Sequence, residues 1–161
     1  MLKIINDLEP FFEDCYREIN VREYARMQDI SAPTASTLLK IYFDEGLLKK
    51  NKDKGYLLFR ANRESKILKD LSQIYWYLKI INHFEDFKTI ILFGSLSKLE
   101  THKDSDIDLF LSPKKNVNIK EMEKILNRNI QLFSDNSINE IKNRELKENI
   151  INGYILKGRI E

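Results

Sequence analysis

Asp106 and Asp108 stand one residue apart, and a Gly94-Ser95 pair precedes them across a gap of ten residues. Ahead of the glycine runs an apolar stretch, Thr89 to Phe93, and the second carboxylate is embedded in Ile107, Leu109, Phe110 and Leu111. Both stretches read as strands. Alternate residues of a strand face the same way, so the two carboxylates should project together, roughly 6–7 Å apart along the chain. Two carboxylates at that spacing can grip one hard cation. Mg²⁺ prefers octahedral oxygen coordination and takes one or two protein carboxylates, leaving positions for water and phosphate oxygens. The Gly94-Ser95 turn adds backbone N–H groups, a hydroxyl and room for close approach, as a phosphate-holding turn requires. An isolated Asp-x-Asp says little, because surface strands carry such pairs by chance; the strand, the turn and the fixed gap together say more.

The elements that must position these residues fit a chain of 161 residues, enough for one ordinary domain or two small ones. Hydrophobic residues make up 42%, with nine Phe and seven Tyr, so real cores can form. The net charge of +2 is nearly neutral, and any surface for nucleic acid must therefore be local. No apolar run approaches membrane-spanning length and the amino terminus lacks a cleavable signal pattern, so no membrane association and a cytoplasmic location are expected. Cys15 is the single cysteine, which rules out an internal disulfide, and the reading puts it on an apolar helical face. His83 and His102 lack metal-ligand spacing.

The chain divides near residue 62. Leu2 to Ile19 has helical apolar spacing. Asn20 can cap a short helix from Val21 to Met27, and Ser31 can cap the next, with Pro33 in its first turn and Gly46 at its end. That second helix should bury Ala35, Leu38, Leu39 and Tyr42 and present Thr34, Ser36, Thr37 and Lys40 outward, able to approach base edges or phosphates. A hairpin follows, Leu47 to Lys50 and Tyr56 to Phe59 joined by a turn through Asn51 to Gly55, with Lys50, Lys52 and Lys54 toward its tip. From Asn62, expected to cap it, a long helix repeats Ile67, Leu71, Ile74, Leu78 and Ile81, joined by Leu68 and Tyr75, with Trp76 off the stripe. The stripe reads as packing on the domains or as the seam of a homodimer. After Asp108 come a loop at Ser112-Pro113, a helix near Ile119 to Leu126 and a strand Ile130 to Phe133. A helical region from Ser137 to about Ile151 and a short final strand, Gly153 to Gly158, complete the chain.

Two resemblances organise these readings. Asn20-Val-Arg-Glu-Tyr-Ala25, Ser31-Ala-Pro-Thr-Ala-Ser-Thr-Leu-Leu39 and Asp44-Glu-Gly-Leu-Leu-Lys-Lys50 resemble the winged helices of bacterial and archaeal transcription regulators. Ile91-Leu-Phe-Gly-Ser-Leu-Ser-Lys98, with Asp104-Ser-Asp-Ile-Asp-Leu109, resembles the nucleotidyltransferase superfamily related to DNA polymerase β, most of all its minimal branch. The fold class implied is α+β: a winged helix-turn-helix over residues 1–62, a connecting helix over 63–83, and a mixed β-sheet flanked by helices over 84–161. The second resemblance implies Mg²⁺ or Mn²⁺ held by Asp106 and Asp108, triphosphate held by Gly94 and Ser95, and Lys98 offsetting charge. The chain departs from that family's pattern twice. A glycine frequent four residues after the family's Ser is Leu99 here. The third acidic residue aligns with Gln131, with Asp135 nearby and Asp104 in a loop; glutamine can coordinate or hydrogen-bond but cannot take up a proton as a carboxylate does.

Two function classes stay open at this point. One is transfer of a nucleotidyl group from a metal-bound nucleoside triphosphate to a hydroxyl, the acceptor or its surface coming from another protein, as in toxin–antitoxin pairs of the family. The other is a regulator that binds double-stranded DNA, whose nucleotidyltransferase-like domain senses nucleotide or mediates assembly.

Overall fold

The computed structural model describes Leu2 to Ile160 and divides into two compact units. One comprises the chain up to Ser72 together with Leu99–Lys103; the other comprises Gln73–Lys98 together with the chain from Asp104 onward.

The first unit contains α1 (Lys3–Glu13), β1 (Ile19–Asn20), α2 (Val21–Met27), α3 (Ala32–Asp44), β2 (Leu48–Asp53) and β3 (Tyr56–Ala61), the strands forming an antiparallel sheet in the order β1-β3-β2. The caps lie where the sequence puts them: the Asn20 side chain accepts from the Glu23 N–H and the Ser31 side chain from the Thr34 N–H. The first helix is shorter than its apolar spacing suggests. Asp14 turns extended, and its carboxylate accepts from the Tyr16 and Arg17 N–H groups, a local turn that competes with helical hydrogen bonding. Cys15 is therefore in a turn and not on a helix, and Ile19 joins the sheet opposite Phe59. The hairpin turn is also tighter. Lys54 and Gly55 both have positive φ, the geometry of a two-residue turn whose twist matches paired strands, so β2 extends to Asp53.

One buried carboxylate ties the three helices. Asp7 on α1 pairs with Lys3 at 2.6 Å, its Oδ2 accepts from the Tyr42 hydroxyl of α3 at 2.6 Å, and its backbone carbonyl accepts from the Tyr24 hydroxyl of α2 at 2.9 Å. Burial first, and then the Asp7 charge, hold the Tyr24 phenol well above its ordinary pKa. Ile5, Leu8, Phe11, Phe12, Ala35 and Leu39 fill the surrounding core.

The connecting helix, α4 (Lys66–Ile80), starts later than expected: the Ser65 side chain caps it by accepting from the Leu68 N–H, while Asn62 donates to the Gly46 carbonyl. A 3-10 turn, Ile81–His83, follows. Its inward face is also offset from the expected stripe. Leu68, Ser72, Tyr75, Trp76 and Ile80 are buried, whereas Ile67, Ile74 and Leu78 are exposed. The helix carries apolar side chains on two neighbouring strips, and periodicity alone does not choose between them. The indole and phenol rings, with the larger areas to bury, face inward.

The second unit is a four-stranded sheet in the order β6-β5-β4-β7, built from β4 (Thr89–Phe93), β5 (Ile107–Ser112), β6 (Ile130–Ser134) and β7 (Tyr154–Lys157). β4 runs antiparallel to β5 and β7, and β5 parallel to β6. Between the strands lie α5 (Gly94–Lys98), α6 (Ile119–Leu126) and α7 (Arg144–Ile151). The single helical region expected after Ser137 is split. Ser137 caps only a 3-10 turn, Ile138–Glu140, and Asn143 caps α7 separately. Both sheet faces are covered. Ile91, Phe93 and Phe110 pack with Ile138 and Ile150 on one side, and Leu92, Ile107, Leu109 and Leu111 are buried as well.

Tyr42→Phe removes a hydrogen bond to a buried carboxylate, an interaction worth about 1.5–3 kcal/mol. Urea unfolding should show a lower midpoint at unchanged m-value; an unchanged midpoint would mean that Lys3 alone satisfies Asp7.

Candidate functional site

Asp108 occupies the second position of β5, an interior strand paired on both sides, opposite Phe93 of β4 and Gln131 of β6. Asp106 lies just before the strand, and the Ile107 N–H donating to the Asn129 carbonyl at 2.9 Å fixes the entry of that segment. The Gln131 amide nitrogen donates to Asp106 Oδ2 at 2.9 Å. Three side chains thus converge on one end of the sheet. Asp108, Phe110, Gln131 and Phe133 share a face by strand alternation, and a cavity of about 560 Å³ opens beside Phe110 and Phe133.

Gly94 completes the arrangement. The expected Gly-Ser turn is the start of a single helical turn, α5, and Gly94 has φ +69. A Cβ there would lie 2.0 Å from Asp108 Oδ2 and 2.9 Å from its Cγ. Glycine is required twice over, by its backbone conformation and by the carboxylate against it. The Ser97 hydroxyl donates to the Gly94 carbonyl at 2.9 Å, and the Gln73 amide donates to the Ser97 carbonyl at 2.9 Å, which anchors the turn. Ser95 is half-buried and Lys98, the last residue of α5, is exposed.

Leu99, where the resembled family often carries glycine, explains that preference: its φ is +58, and its side chain is fully buried. An L-residue in that region costs roughly 1–2 kcal/mol, offset here by burying a leucine side chain, worth about 1.5–3 kcal/mol.

The electrostatics are those of a site short of positive charge. Loss of solvent, and secondarily the Asp106 charge, raise Asp108 to a pKa of about 6. A divalent cation would relieve both causes. Two carboxylates and an amide suit an ion that keeps other positions for water and phosphate, so the donor set fits Mg²⁺ or Mn²⁺. Among the described residues there is no group of three or more His, Cys, Asp and Glu placed to hold a metal. Asp135 lies four residues beyond Gln131 and hydrogen-bonds Glu140, holding the Glu140 carboxyl above its usual range; Asp104 is exposed in the loop before the pair.

One supporting residue escaped the sequence reading. Arg128 is buried, donates to the Ser105 carbonyl at 2.7 Å and lies over the Trp76 ring at 5.3 Å, so it steadies the backbone that leads into Asp106. An arginine in the turn between a helix and a strand gives no local hint of this contact.

In the first unit, Thr34, Ser36, Thr37, Lys40, Lys50, Lys52 and Lys54 are all exposed. Thr34 exchanges a hydrogen bond with Ser31, Thr37 donates to the Pro33 carbonyl, and Lys40 pairs with Asp44. Lys50 lies 4.0 Å over the Phe43 ring, and a cleft of about 530 Å³ is lined by Phe43, Lys49, Lys50 and Arg60. No helix among the described residues is long and apolar enough to cross a membrane.

A mixed sheet with this carboxylate pair, met by a glycine turn after the preceding strand, defines a nucleotidyltransferase-type domain. Residues 78–160 match the family described as polymerase beta, nucleotidyltransferase, and the chain belongs to that family. A nucleotide substrate follows from the domain, and the family typically uses a divalent metal. No curated protein and no solved structure matches the chain.

The raised pKa of Asp108 sets a pH dependence. The folded state holds the Asp108 proton more tightly than the unfolded chain does. This group's contribution is therefore fully present below the ordinary aspartate pKa of about 3.8, and it is lost as pH rises through about 6. In EDTA, Asp108→Asn should raise the melting temperature at pH 8 by about 2 °C and leave it unchanged near pH 3.5. An equal effect at both pH values would mean that packing, not charge, is responsible.

Proposed function

We propose that the chain transfers a nucleotidyl group from a nucleoside triphosphate, bound with Mg²⁺ or Mn²⁺, to an acceptor hydroxyl. The observation that carries this reading is the convergence of Asp106, Asp108 and Gln131 beside a glycine that leaves room only for the Asp108 carboxylate. Asp106 and Asp108 hold the metal. The backbone N–H groups at Gly94 and Ser95, with the Ser95 hydroxyl, hold the β- and γ-phosphates, and exposed Lys98 offsets their charge. The ion, when bound, supplies electrostatic stabilisation of phosphoryl oxygens as charge builds on them. The acceptor oxygen attacks the α-phosphorus, the bond to the β-phosphate oxygen breaks, and pyrophosphate leaves with that electron pair. Gln131 orients Asp106 but takes no proton, so the hydroxyl proton passes to solvent. General-base assistance is typically worth about 10²–10⁴-fold, and the reaction is slower by a corresponding factor.

The first unit we read as a winged helix-turn-helix over residues 1–62 that binds duplex DNA, with residues 63–83 as the connector. The order of helices, the antiparallel β1-β3-β2 sheet and the exposed Thr34, Ser36, Thr37, Lys40, Lys50, Lys52 and Lys54 support this. A protein supplied in trans, such as a toxin partner, is the class of acceptor in this reading. The apolar strip Ile67, Ile74 and Leu78 suits a homodimer contact. The presence of Gln131 instead of a third carboxylate favours a second reading: a DNA-binding regulator in which the nucleotidyltransferase domain senses nucleotide or mediates assembly without turnover.

Titration calorimetry with Mg·ATP and an assay of α-labelled phosphate transfer separate the two. Asp106→Asn and Asp108→Asn should each weaken binding with the fold intact, and Gln131→Asp should tighten divalent-metal binding and, given a competent acceptor, speed transfer. Binding with no transfer in either wild type or Gln131→Asp supports the sensor; equal Mg·ATP binding by wild type and an Asp106→Asn, Asp108→Asn double variant removes the metal site from both readings.

Duplex binding should fall steeply with salt, because each neutralised phosphate releases counterions. Lys52→Ala with Lys54→Ala should reduce the slope of log K against log salt by about 2, at roughly 0.9 per phosphate contact. Thr37→Ala should shift sequence preference more than slope. A gel shift with no duplex bound at low salt would reassign this unit to protein contacts.

A further inference from the structure

The chain leaves the second unit after Lys98, at the end of α5, and re-enters it at Asp104, two residues before Asp106. The five residues between, Leu99–Lys103, pack as part of the first unit. Their backbone is gripped there. The Cys15 N–H donates to the Thr101 carbonyl at 2.9 Å, and the thiol lies 3.1 Å from that same oxygen and 3.2 Å from the Leu99 carbonyl. Arg63 Nε donates to the Leu99 carbonyl at 3.3 Å, and Nη2 lies 3.6 Å from the Glu100 carboxylate. The same guanidinium sits 4.3 Å over the Tyr16 ring, against which His102 stacks at 4.0 Å with an interplanar angle of 1°. Leu99 and Thr101 are fully buried.

These contacts read carbonyl groups, so they fix the path of the segment more than its side-chain identity. They also hold Leu99 in a left-handed conformation that a leucine does not adopt unaided. The two ends of this segment are covalently attached to the parts that must meet: α5, which begins with Gly94 and Ser95, and the strand entry that carries Asp106 and Asp108. The pairing of β4 with β5 already holds Gly94 beside Asp108, so the segment governs the far end of α5 at Lys98 and the stretch that leads into Asp106. If it wanders, those two lose their fixed places, and small misplacements are expensive in a site that works by alignment.

We propose that Arg63, assisted by Cys15 and Tyr16, is a positioning residue for the metal–triphosphate site, acting through the backbone of Leu99–Thr101. The proposal rests on the nucleotidyl-transfer reading above. By linkage, nucleotide at the second unit and closure of this clasp in the first favour one another.

Cys15 is the only cysteine of the chain, so labelling by dithiobisnitrobenzoate in the full-length protein reports release of the clasp at a single site. A buried thiol reacts only when the segment opens. Wild type should label slowly, and saturating Mg·ATP should slow it further, on the order of tenfold. Arg63→Gln should speed labelling and weaken Mg·ATP binding by a similar factor, while Arg63→Lys, which keeps the charge facing Glu100, recovers part of both. Arg22→Gln, an exposed change on α2, should do neither. Protection by nucleotide is the readout that a merely structural arginine would not move. Faster labelling of Arg63→Gln at unchanged Mg·ATP affinity, or wild-type labelling indifferent to Mg·ATP that binds, overturns the proposal alone. Absence of Mg·ATP binding by wild type overturns the nucleotidyl-transfer reading and this inference with it. Should Arg63→Gln not fold, Tyr16→Leu takes its place with the same readouts, because it removes the ring under Arg63 and leaves the backbone bonds.

Discussion

The Asp108 carboxylate lies against the bare Cα of Gly94, half withdrawn from water and facing the charge of Asp106. Left to itself a carboxylate would turn out of such a place, since loss of solvent and like charge both oppose its ionised form. It stays because its strand has no freedom. β5 is hydrogen-bonded on both sides, and Ile107, Leu109, Phe110 and Leu111 are buried around it. Moving Asp108 would mean moving the centre of the second unit's sheet. The core therefore supplies the force that holds two negative charges together, and the missing Cβ of residue 94 supplies the space.

The part of this that was legible in the sequence is the part encoded locally. Alternation on β5, the apolar run of β4, the caps at Asn20 and Ser31 and the glycine turn depend on neighbours within a few residues, and each could be placed from residue types alone. The inward face of α4 could not. Two strips of apolar residues lie side by side on that helix, and Trp76, read as lying off the main stripe, is fully buried while Ile67 faces solvent. The early end of α1 at Glu13 and the separate helix from Arg144 arise from side-chain caps that compete with apolar periodicity, at Asp14 and Asn143. The contacts of Arg128 with Ser105 and of Cys15 with Thr101 span 23 and 86 residues, and no spacing rule announces them.

Leu99 shows how local and distant demands combine. The turn after α5 needs a left-handed residue, which is why a glycine would be the simple solution. The chain keeps leucine, with its side chain fully buried and its carbonyl held by two donors from the first unit. A glycine would relax the backbone and give up the anchor. The departure from the family's pattern is thus consistent with a segment whose fixed position matters more than the strain it carries.

Gln131 is the other departure, and its consequences run in opposite directions. A carboxylate there would add a third negative charge beside Asp106 and Asp108, raising the cost of the empty site and the affinity for a cation together. The amide adds none, and its N–H donates to Asp106 Oδ2 at 2.9 Å. On the proposed reading, the site would therefore be easier to maintain without a metal and weaker in its hold on one. For turnover that is a loss, because neither the charge nor the base is present. For a protein that must register nucleotide and release it, a weaker hold is an advantage, since a sensor responds only if its ligand leaves when the concentration falls. The two readings of this domain thus turn on a single neutral side chain, placed by the parallel pairing of β6 with β5 opposite Asp108.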